Sequence, residues 1–554
     1  MQFILLLALS PGITRAEVFN VPCSPSDLNT TFGNASINGE ADIVNLAENC
    51  TYTYTTSFDG EAATAIFGPL VVNGNGATIE RDPSAPQFRI FNIGGDGTVT
   101  LNDLTIQNGH APDGTGTAGA SGETGGAIRM FESLELNRTV VRNNRSGSGA
   151  SNINGGGGFG GVGGAIEVCE GCSLFITDST FQNNQTGASG SGSEGAGPGF
   201  PGLGGAIYIS SATSGPTSLL TVSRSLFENN SVGEIGFGDG SGIFPRGGAI
   251  YSLDAILDIT NTTFSGNSAA DGAAITSFAD DAGSLSLQFV SVVDNVGDNA
   301  IEYGSDTQAP LIAHSIFRNG ASVDCRIIDS ASFNALSVYN LFEDSTSDDA
   351  CDMSNTNNNV LNANLPLSPL AKNGGRTKTH ALLDGNDAID RGPINFTAVT
   401  TDQRGVRRPQ FSFLSINDRP DSGAFETTPG FFRLNNNVEL PNEEIETPTQ
   451  DNYIAIYLDA GESVEARIEF THAFGDLDMH LYRRDNLSSF IDSSAGIFDS
   501  ETIEFTADES GEYWIRVFGF AGATNNYSMT ISFDRVLTCF VVQTAANARV
   551  PICF

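Results

Sequence analysis

The eight cysteines fall into four local pairs: Cys23 with Cys50, Cys169 with Cys172, Cys325 with Cys351, and Cys539 with Cys553. In an exported chain an even count grouped in this way predicts four disulfides. Cys169-Glu-Gly-Cys172 has the spacing of half a zinc site or of a redox pair. No second Cys/His pair stands at zinc spacing and no βαβ pattern surrounds it, so a turn disulfide is the favoured reading. Two carboxylate pairs, Asp280-Asp281 and Asp348-Asp349, would serve glycoside hydrolysis only if folding set two carboxyls roughly 5–10 Å apart across a groove. The run Gly155 to Gly158 lacks the Lys-Ser/Thr of a phosphate loop, and neither Gly-x-Ser-x-Gly at an elbow nor His-Glu-x-x-His occurs. No residue is assigned a catalytic role. Whether the chain is an enzyme stays open, with contact rather than turnover favoured.

The elements that must carry any such groups are set by repetition. Gly-Gly-Ala-Ile opens at Gly163, Gly204 and Gly247, each copy followed by Phe-x-x-Asn at Phe181 to Asn184, Phe227 to Asn230 and Phe264 to Asn267. Weaker copies run from Gly125 to Ile128 with Val141 and Asn144, from Gly272 to Ile275 with Val292 and Asn295, and from Asn299 to Ile301 with Phe317 and Asn319. Between Gly247 and Asp271 lie three short β-rich runs, 249–252, 255–260 and 262–264, parted by polar corners. That is one coil of a parallel β-helix, in which Ile250, Leu257, Ile259 and Phe264 point inward and stack on their equivalents. The Asn after each Phe is expected to form a corner ladder. Antiparallel hairpins at the Asn/Gly turns are the alternative, since β periodicity alone does not separate the two.

Between the repeat Asn and the next Ile the later coils leave few residues (Asn267 to Ile275, Asn295 to Ile301). The earlier coils leave far more (Asn108 to Ile128, Asn144 to Ile166, Asn184 to Ile207, Asn230 to Ile250). These insertions are Gly/Ser-rich, poor in charge, and punctuated by Phe159, Phe200, Phe237 and Phe244. Stacked at one corner they predict a neutral, adaptable flap for binding, and drift at a tolerant corner is the bland alternative. Loop length costs little, so shortening the insertion between Asn184 and Ile207 is expected to leave the coils folded.

Composition bounds the partners. With 65 acidic against 26 basic residues the formal net charge is -39, and Lys occurs only at Lys372 and Lys378. Nucleic acid and anionic membranes are excluded as electrostatic partners. The apolar run from Phe3 to Leu9 followed by Thr14-x-Ala16 reads as a secretory signal, although Met1 and Gln2 supply no basic side chain. No later stretch approaches the ~20 apolar residues that span a bilayer, so a secreted or cell-surface protein without a transmembrane segment is expected.

Several motifs carry resemblances. Val21-Pro-Cys23, Ala47-Glu-Asn-Cys50-Thr51-Tyr52, the run from Val72 to Ile79 and that from Val99 to Gly109 resemble secreted bacterial right-handed parallel β-helix repeat proteins of the pectin-lyase-like fold. The Gly-Gly-Ala-Ile and Phe-x-x-Asn tetrapeptides resemble those of polymorphic outer-membrane adhesins. Such a fold serves lyases, hydrolases and adhesins alike. The runs Leu367 to Gly375, Thr377 to Leu382, Thr401 to Gly405, Arg408-Pro409 and Asp421 to Glu426 resemble a choice-of-anchor domain. In that reading Asp402, Arg404, His380 and Glu426 form a buried polar cluster joining the module to the last coils. From about Glu439 to Phe533 the strand pattern predicts a β-sandwich. Phe474-Gly-Asp-Leu-Asp478 and Ser510-Gly-Glu-Tyr-Trp514 resemble the bacterial pre-peptidase C-terminal domain. Some of its relatives bind calcium, and Glu443, Glu444, Asp476 and Asp478 match their acidic positions; hard oxygen ligands suit Ca²⁺.

The expectation is therefore an all-β chain: a right-handed parallel β-helix solenoid followed by a C-terminal, jelly-roll-like β-sandwich. Residues 1–16 are the signal, 17–352 the helix, 353–430 the choice-of-anchor-like module, 439–533 the sandwich and 534–554 a Cys-bounded tail. The expected function is adhesin-like binding of an extracellular glycan or surface protein. The alternatives are a polysaccharide lyase or glycoside hydrolase on the same fold, and a passive surface spacer.

Overall fold

The computed structural model describes residues 16–35, 41–58, 62–212, 214–238, 244–280, 282–320, 323–328, 334–343, 357–383, 385–393, 399–408, 419–427, 437–445, 451–458, 460–483, 489–509, 511–534, 539–543 and 549–553. They divide into two compact units, one of residues 1–372 and 376–427, the other of 373–375 and 428–554. The signal-like segment lies outside the described residues up to position 15.

The first unit is a parallel β-helix. The coil that opens at Gly247 consists of strands Ile250–Leu253, Ile256–Thr260 and Thr263–Ser265. Each pairs in parallel with its equivalents one coil before and one coil after, which excludes the hairpin alternative. The register aligns Ile128, Ile166, Ile207, Ile250, Ile275 and Ile301 in the first strands. In the third strands it aligns Phe181, Phe227 and Phe264, whose rings stack 5.0 and 4.8 Å apart within 10° of parallel. A one-residue slip would turn this whole set outward, so the interior determines the register. At the N-terminal end the helix Pro25–Ala35 buries Leu28 and Phe32, and Phe32 meets Phe91 edge-on.

Buried amides hold the corner after the third strand. Asn144, Asn184, Asn230, Asn267, Asn295 and Asn319 form a ladder in which each side-chain Nδ2 donates to the next Oδ1 at 2.9–3.1 Å. The same Oδ1 accepts the preceding coil's backbone N–H, while Nδ2 also reaches a carbonyl such as Phe181 O or Phe227 O. Every polar atom is satisfied in the dry interior, where a lone amide would be costly.

The segment after the last coil packs back along the third-strand face. Val293, Ile316 and Leu341 of the coils form one apolar cluster with Leu365, Leu367, Leu382 and Phe425. Ala424 N donates to Ser291 Oγ, Asn261 Nδ2 to Thr401 O, and Lys378 pairs with Glu228 at 3.1 Å. This covering explains why outward positions such as Thr263 and Ser265 are buried.

The second unit holds two four-stranded antiparallel sheets facing each other across Val464, Ile468, Leu477, Met479, Leu481, Ile515, Val517 and Ile531. Strand Ser463–Phe470 alternates inward and outward side chains along its length, as one layer of a sandwich must. Among the described residues no helix is long and apolar enough to cross a membrane.

Candidate functional site

The four long insertions do not form an adaptable flap. From the first to the second, Ala111 N donates to Arg145 O and Gly114 N to Ser148 O; from the second to the third, Ser146 N donates to Gln185 O, Gly149 N to Ala188 O and Asn152 N to Ser191 O. Thr186, Ser189 and Gly192 repeat the pattern onto Ser231, Glu234 and Phe237. The returning arms do the same: Gly157, Gly160 and Gly163 donate to Gly197, Phe200 and Leu203. Every third residue donates, which is the three-residue turn of a polyproline-II-type helix. Outgoing and returning arms are bonded to each other as well, Gly161 N to Gly147 O at 2.7 Å and Gly190 N to Gly158 O at 2.9 Å.

Glycine is required because the backbones touch. A Cβ on Gly187 would lie 1.8 Å from Gly147 O, and one on Gly157 1.9 Å from Gly190 O. The insertions are thus a close-packed, two-layered slab of extended helices. The recurrence of Gly at three-residue spacing (Gly157, Gly160, Gly163; Gly199, Gly202, Gly205) is the signal that composition alone passes over.

Of the aromatic residues expected on this slab, Phe159 and Phe200 come together on the returning layer, half-exposed, with rings 5.6 Å apart at 73°. Phe237 stands 88 % exposed on an outgoing arm and Phe244 is half-exposed. Among the described residues no ring contact joins those two to the first pair. Ile153 and Ile235 are also exposed there, and sequence reading had not singled them out.

The outer face of the first strands carries carboxylates beside arginines. Arg129 meets Glu167 at 3.2 Å, Arg246 meets Glu302 at 3.2 Å, and Asp271 lies 3.8 Å from Arg246 and 3.6 Å from Arg326. Glu302 and Asp271 are buried beneath these guanidiniums. Burial, reinforced by Asp271, raises the Glu302 pKa against the pull of Arg246. Tyr208 and Tyr251 stack 5.7 Å apart on the same face, and desolvation pushes the Tyr251 hydroxyl up to about 12. Asp280 is exposed; Asp281, Asp348 and Asp349 lie outside the described residues.

The polar cluster of the covering segment differs in membership from expectation. Asp402 accepts from Arg404 Nε at 2.8 Å and from Glu426 N at 3.0 Å, and Arg408 pairs with Glu426 at 2.7 Å. Asp421 accepts from Asp390 N and Thr427 Oγ1, and burial raises its pKa to about 6. Arg408 and Asp421 complete this knot, whereas His380 stands apart, its Nε2 3.0 Å from Ser265 Oγ of the coils. The ion pairs and hydrogen bonds of this knot run among residues of the covering segment itself.

In the sandwich Asp478 is buried, and desolvation, with Asp476 and Glu501 beside it, raises its carboxyl to about 6. His472 Nδ1 lies 3.0 Å from Asp476 Oδ1. The side chains of Glu443 and Glu444 lie outside the described residues, and among the described ones no group of three or more His, Cys, Asp or Glu is arranged to hold a metal. Disulfides join Cys23 to Cys50 and Cys169 to Cys172. Cys325 is also disulfide-bonded, and Cys351 lies outside the described residues. Cys539 and Cys553 face each other in the antiparallel pair Cys539–Gln543 with Arg549–Cys553.

Residues 445–519 match the family model of the bacterial pre-peptidase C-terminal domain. A periplasmic inhibitor of g-type lysozyme from Aeromonas hydrophila is similar over 19% of this chain and 91% of its own, at 14% identity and a TM-score of 0.17. The pre-peptidase C-terminal domain of a Bacillus anthracis collagenase is similar over 17% of this chain and 90% of its own, at 10% identity and a TM-score of 0.14. The enzymatically active domain of tailspike protein 4 from bacteriophage CBA120 is similar over 92% of this chain and 65% of its own, at 10% identity and a TM-score of 0.17. No curated protein matches the chain.

Proposed function

We propose that the chain is a secreted or cell-surface protein that works by contact, adhesin-like, with the Gly-packed slab as its binding platform for an extracellular glycan or surface protein. The observation that carries this reading is the pairing of a rigid backbone slab with exposed Phe159, Phe200, Phe237 and Phe244. Flat apolar rings held on a framework with little left to order bind at low entropic cost. The test is a glycan array probed with the full chain and with a Phe159→Ser, Phe200→Ser, Phe237→Ser, Phe244→Ser variant. Binding that is lost in the variant at an unchanged melting midpoint supports the reading; equal binding removes it.

A polysaccharide lyase or glycoside hydrolase is the second reading, favoured by Glu302 and Asp271 beside Arg246 and Arg326. Turnover of a uronic-acid polysaccharide that disappears in Glu302→Gln would replace contact by catalysis. With neither binding nor turnover, the passive spacer is left. The choice-of-anchor assignment of 353–430 stays part of this proposal, as does calcium in the sandwich. There Asp476 and Asp478 would offer hard oxygen ligands, His472 Nδ1 would have to leave its place 3.0 Å from Asp476 Oδ1, and Glu443 and Glu444 would have to complete the set.

A further inference from the structure

At one end of the C-terminal sandwich, three loops bring four large apolar side chains into solvent. Phe474 is 80%, Ile497 74%, Phe498 72% and Phe520 59% exposed. The loops are tied to one another. His472 N donates to Asp499 Oδ1 at 2.8 Å, Phe520 N to Asp476 O at 2.9 Å, and Asn525 Nδ2 to Thr471 O and Gly475 O at 2.8 and 2.7 Å. A single exposed apolar side chain is ordinary, whereas four on cross-tied loops make a patch that marks an interaction surface.

The rim decides what fits. The loops themselves carry two carboxylates, Asp476 and the exposed Asp499, whereas Asp478 and Glu501 next along the chain are buried, and residues 471–476, 495–499 and 519–524 contain no Lys or Arg. Their one basic group, His472, sits against Asp476. Two carboxylates and no Lys or Arg on an apolar tip repel anionic lipid and attract positive charge. We infer that this tip docks a cationic polypeptide whose apolar anchor is flanked by Lys or Arg. The surface is distinct from the Gly-packed slab, so the two proposals stand or fall separately.

The test uses the full chain in chelator, so that no divalent cation neutralises Asp476 and Asp499, and a fluorescent amphipathic peptide of Leu and Lys. Matched Leu/Glu and Ser/Lys peptides and phosphatidylcholine vesicles are the comparison probes. The variant is Phe474→Ser, Ile497→Ser, Phe498→Ser, Phe520→Ser, which leaves the net charge unchanged and touches side chains already largely in water. The Leu/Lys peptide should bind, with affinity falling about tenfold or more in the variant at an unchanged melting midpoint. Binding should weaken with salt, fall similarly for Ser/Lys, and vanish for Leu/Glu. The inference is overturned if the Leu/Lys peptide fails to bind, if the variant binds it equally, if Leu/Glu binds as well, or if vesicles are captured in its place.

Discussion

Phe227 and Gly187 hold equivalent offices in two stacks built on the same repeat. Phe227 lies between Phe181 and Phe264 in the coil interior, where stacking requires a large side chain. Gly187 lies between neighbouring insertions, where the stack exists only because no side chain is present. The coils exclude water by filling space with apolar volume, whereas the slab does so by bringing peptide groups into direct contact and pairing their N–H and C=O groups. One repeat thus yields two kinds of dry packing, with the Asn ladder at the corner between them.

Substitutions should break the two stacks in opposite ways. Asn230→Ala removes the acceptor of Asn184 N and Nδ2 and the donor to Asn267 Oδ1 and Phe181 O. With several buried groups left unpaired, denaturant titration of the first unit should show a loss of about 5 kcal/mol. Phe227→Ala should follow at about 4 kcal/mol from transfer and cavity together. In the slab a gain of volume is what harms: Gly187→Ala should lose about 2–3 kcal/mol through forced backbone shifts. Gly156→Ala, whose new methyl would meet nothing closer than Gly197 O at 3.7 Å, should change nothing measurable. If Gly187→Ala is equally silent, the slab is not close-packed.

The coils were legible in the sequence because an inward Ile or Phe at a fixed place in each repeat leaves a mark that survives drift. Gly163 to Ile166, Phe227 and Asn230 were readable one by one. The slab was only half legible. Its place, length and aromatic residues follow from the spacing of Asn and Ile, but glycine also means freedom, and composition alone suggested adaptability. Only the bonds of Gly149, Gly161 and Gly190 to neighbouring arms show that the freedom is spent on contact. Shortening the insertion between Asn184 and Ile207 would also remove its bonds to the arms on both sides, so its neighbours would be affected along with it. His380 was assigned to the wrong neighbours for a related reason: a motif shows that a residue is polar and buried, not which coil it meets.

Acid should separate the regions further. Burial, with Arg408 nearby, holds His314 at about 4 against an ordinary 6.5. Its ring is stacked between Phe289 and Tyr339 at the covered corner. The unfolded chain takes up the proton first, so this contribution is full above about pH 6.5 and is lost as pH falls toward about 4. Asp421, raised to about 6, acts in the opposite sense, since stability from its protonated form is lost as pH rises through that value. Both proteins share Asp421, so the comparison of wild type with His314→Phe isolates the histidine. The variant should lose less stability between pH 6.5 and pH 4 in parallel melts, and identical slopes would remove the assignment. A small stability effect is also expected from Phe159→Ser with Phe200→Ser, within about 0.5 kcal/mol for exposed side chains, with ligand binding the property that changes.

The most direct measurement of the close-packed slab is amide hydrogen exchange on the intact chain, read for Gly149, Gly161, Gly190 and Gly202 beside Ile166 and Ile207 of the coils. These glycine N–H groups donate to Ala188 O, Gly147 O, Gly158 O and Gly187 O. A slab that opens only with its neighbours predicts protection that approaches that of the coil strands. Exchange of the glycine amides at the rate of free peptide, with the coil amides still protected, would contradict it.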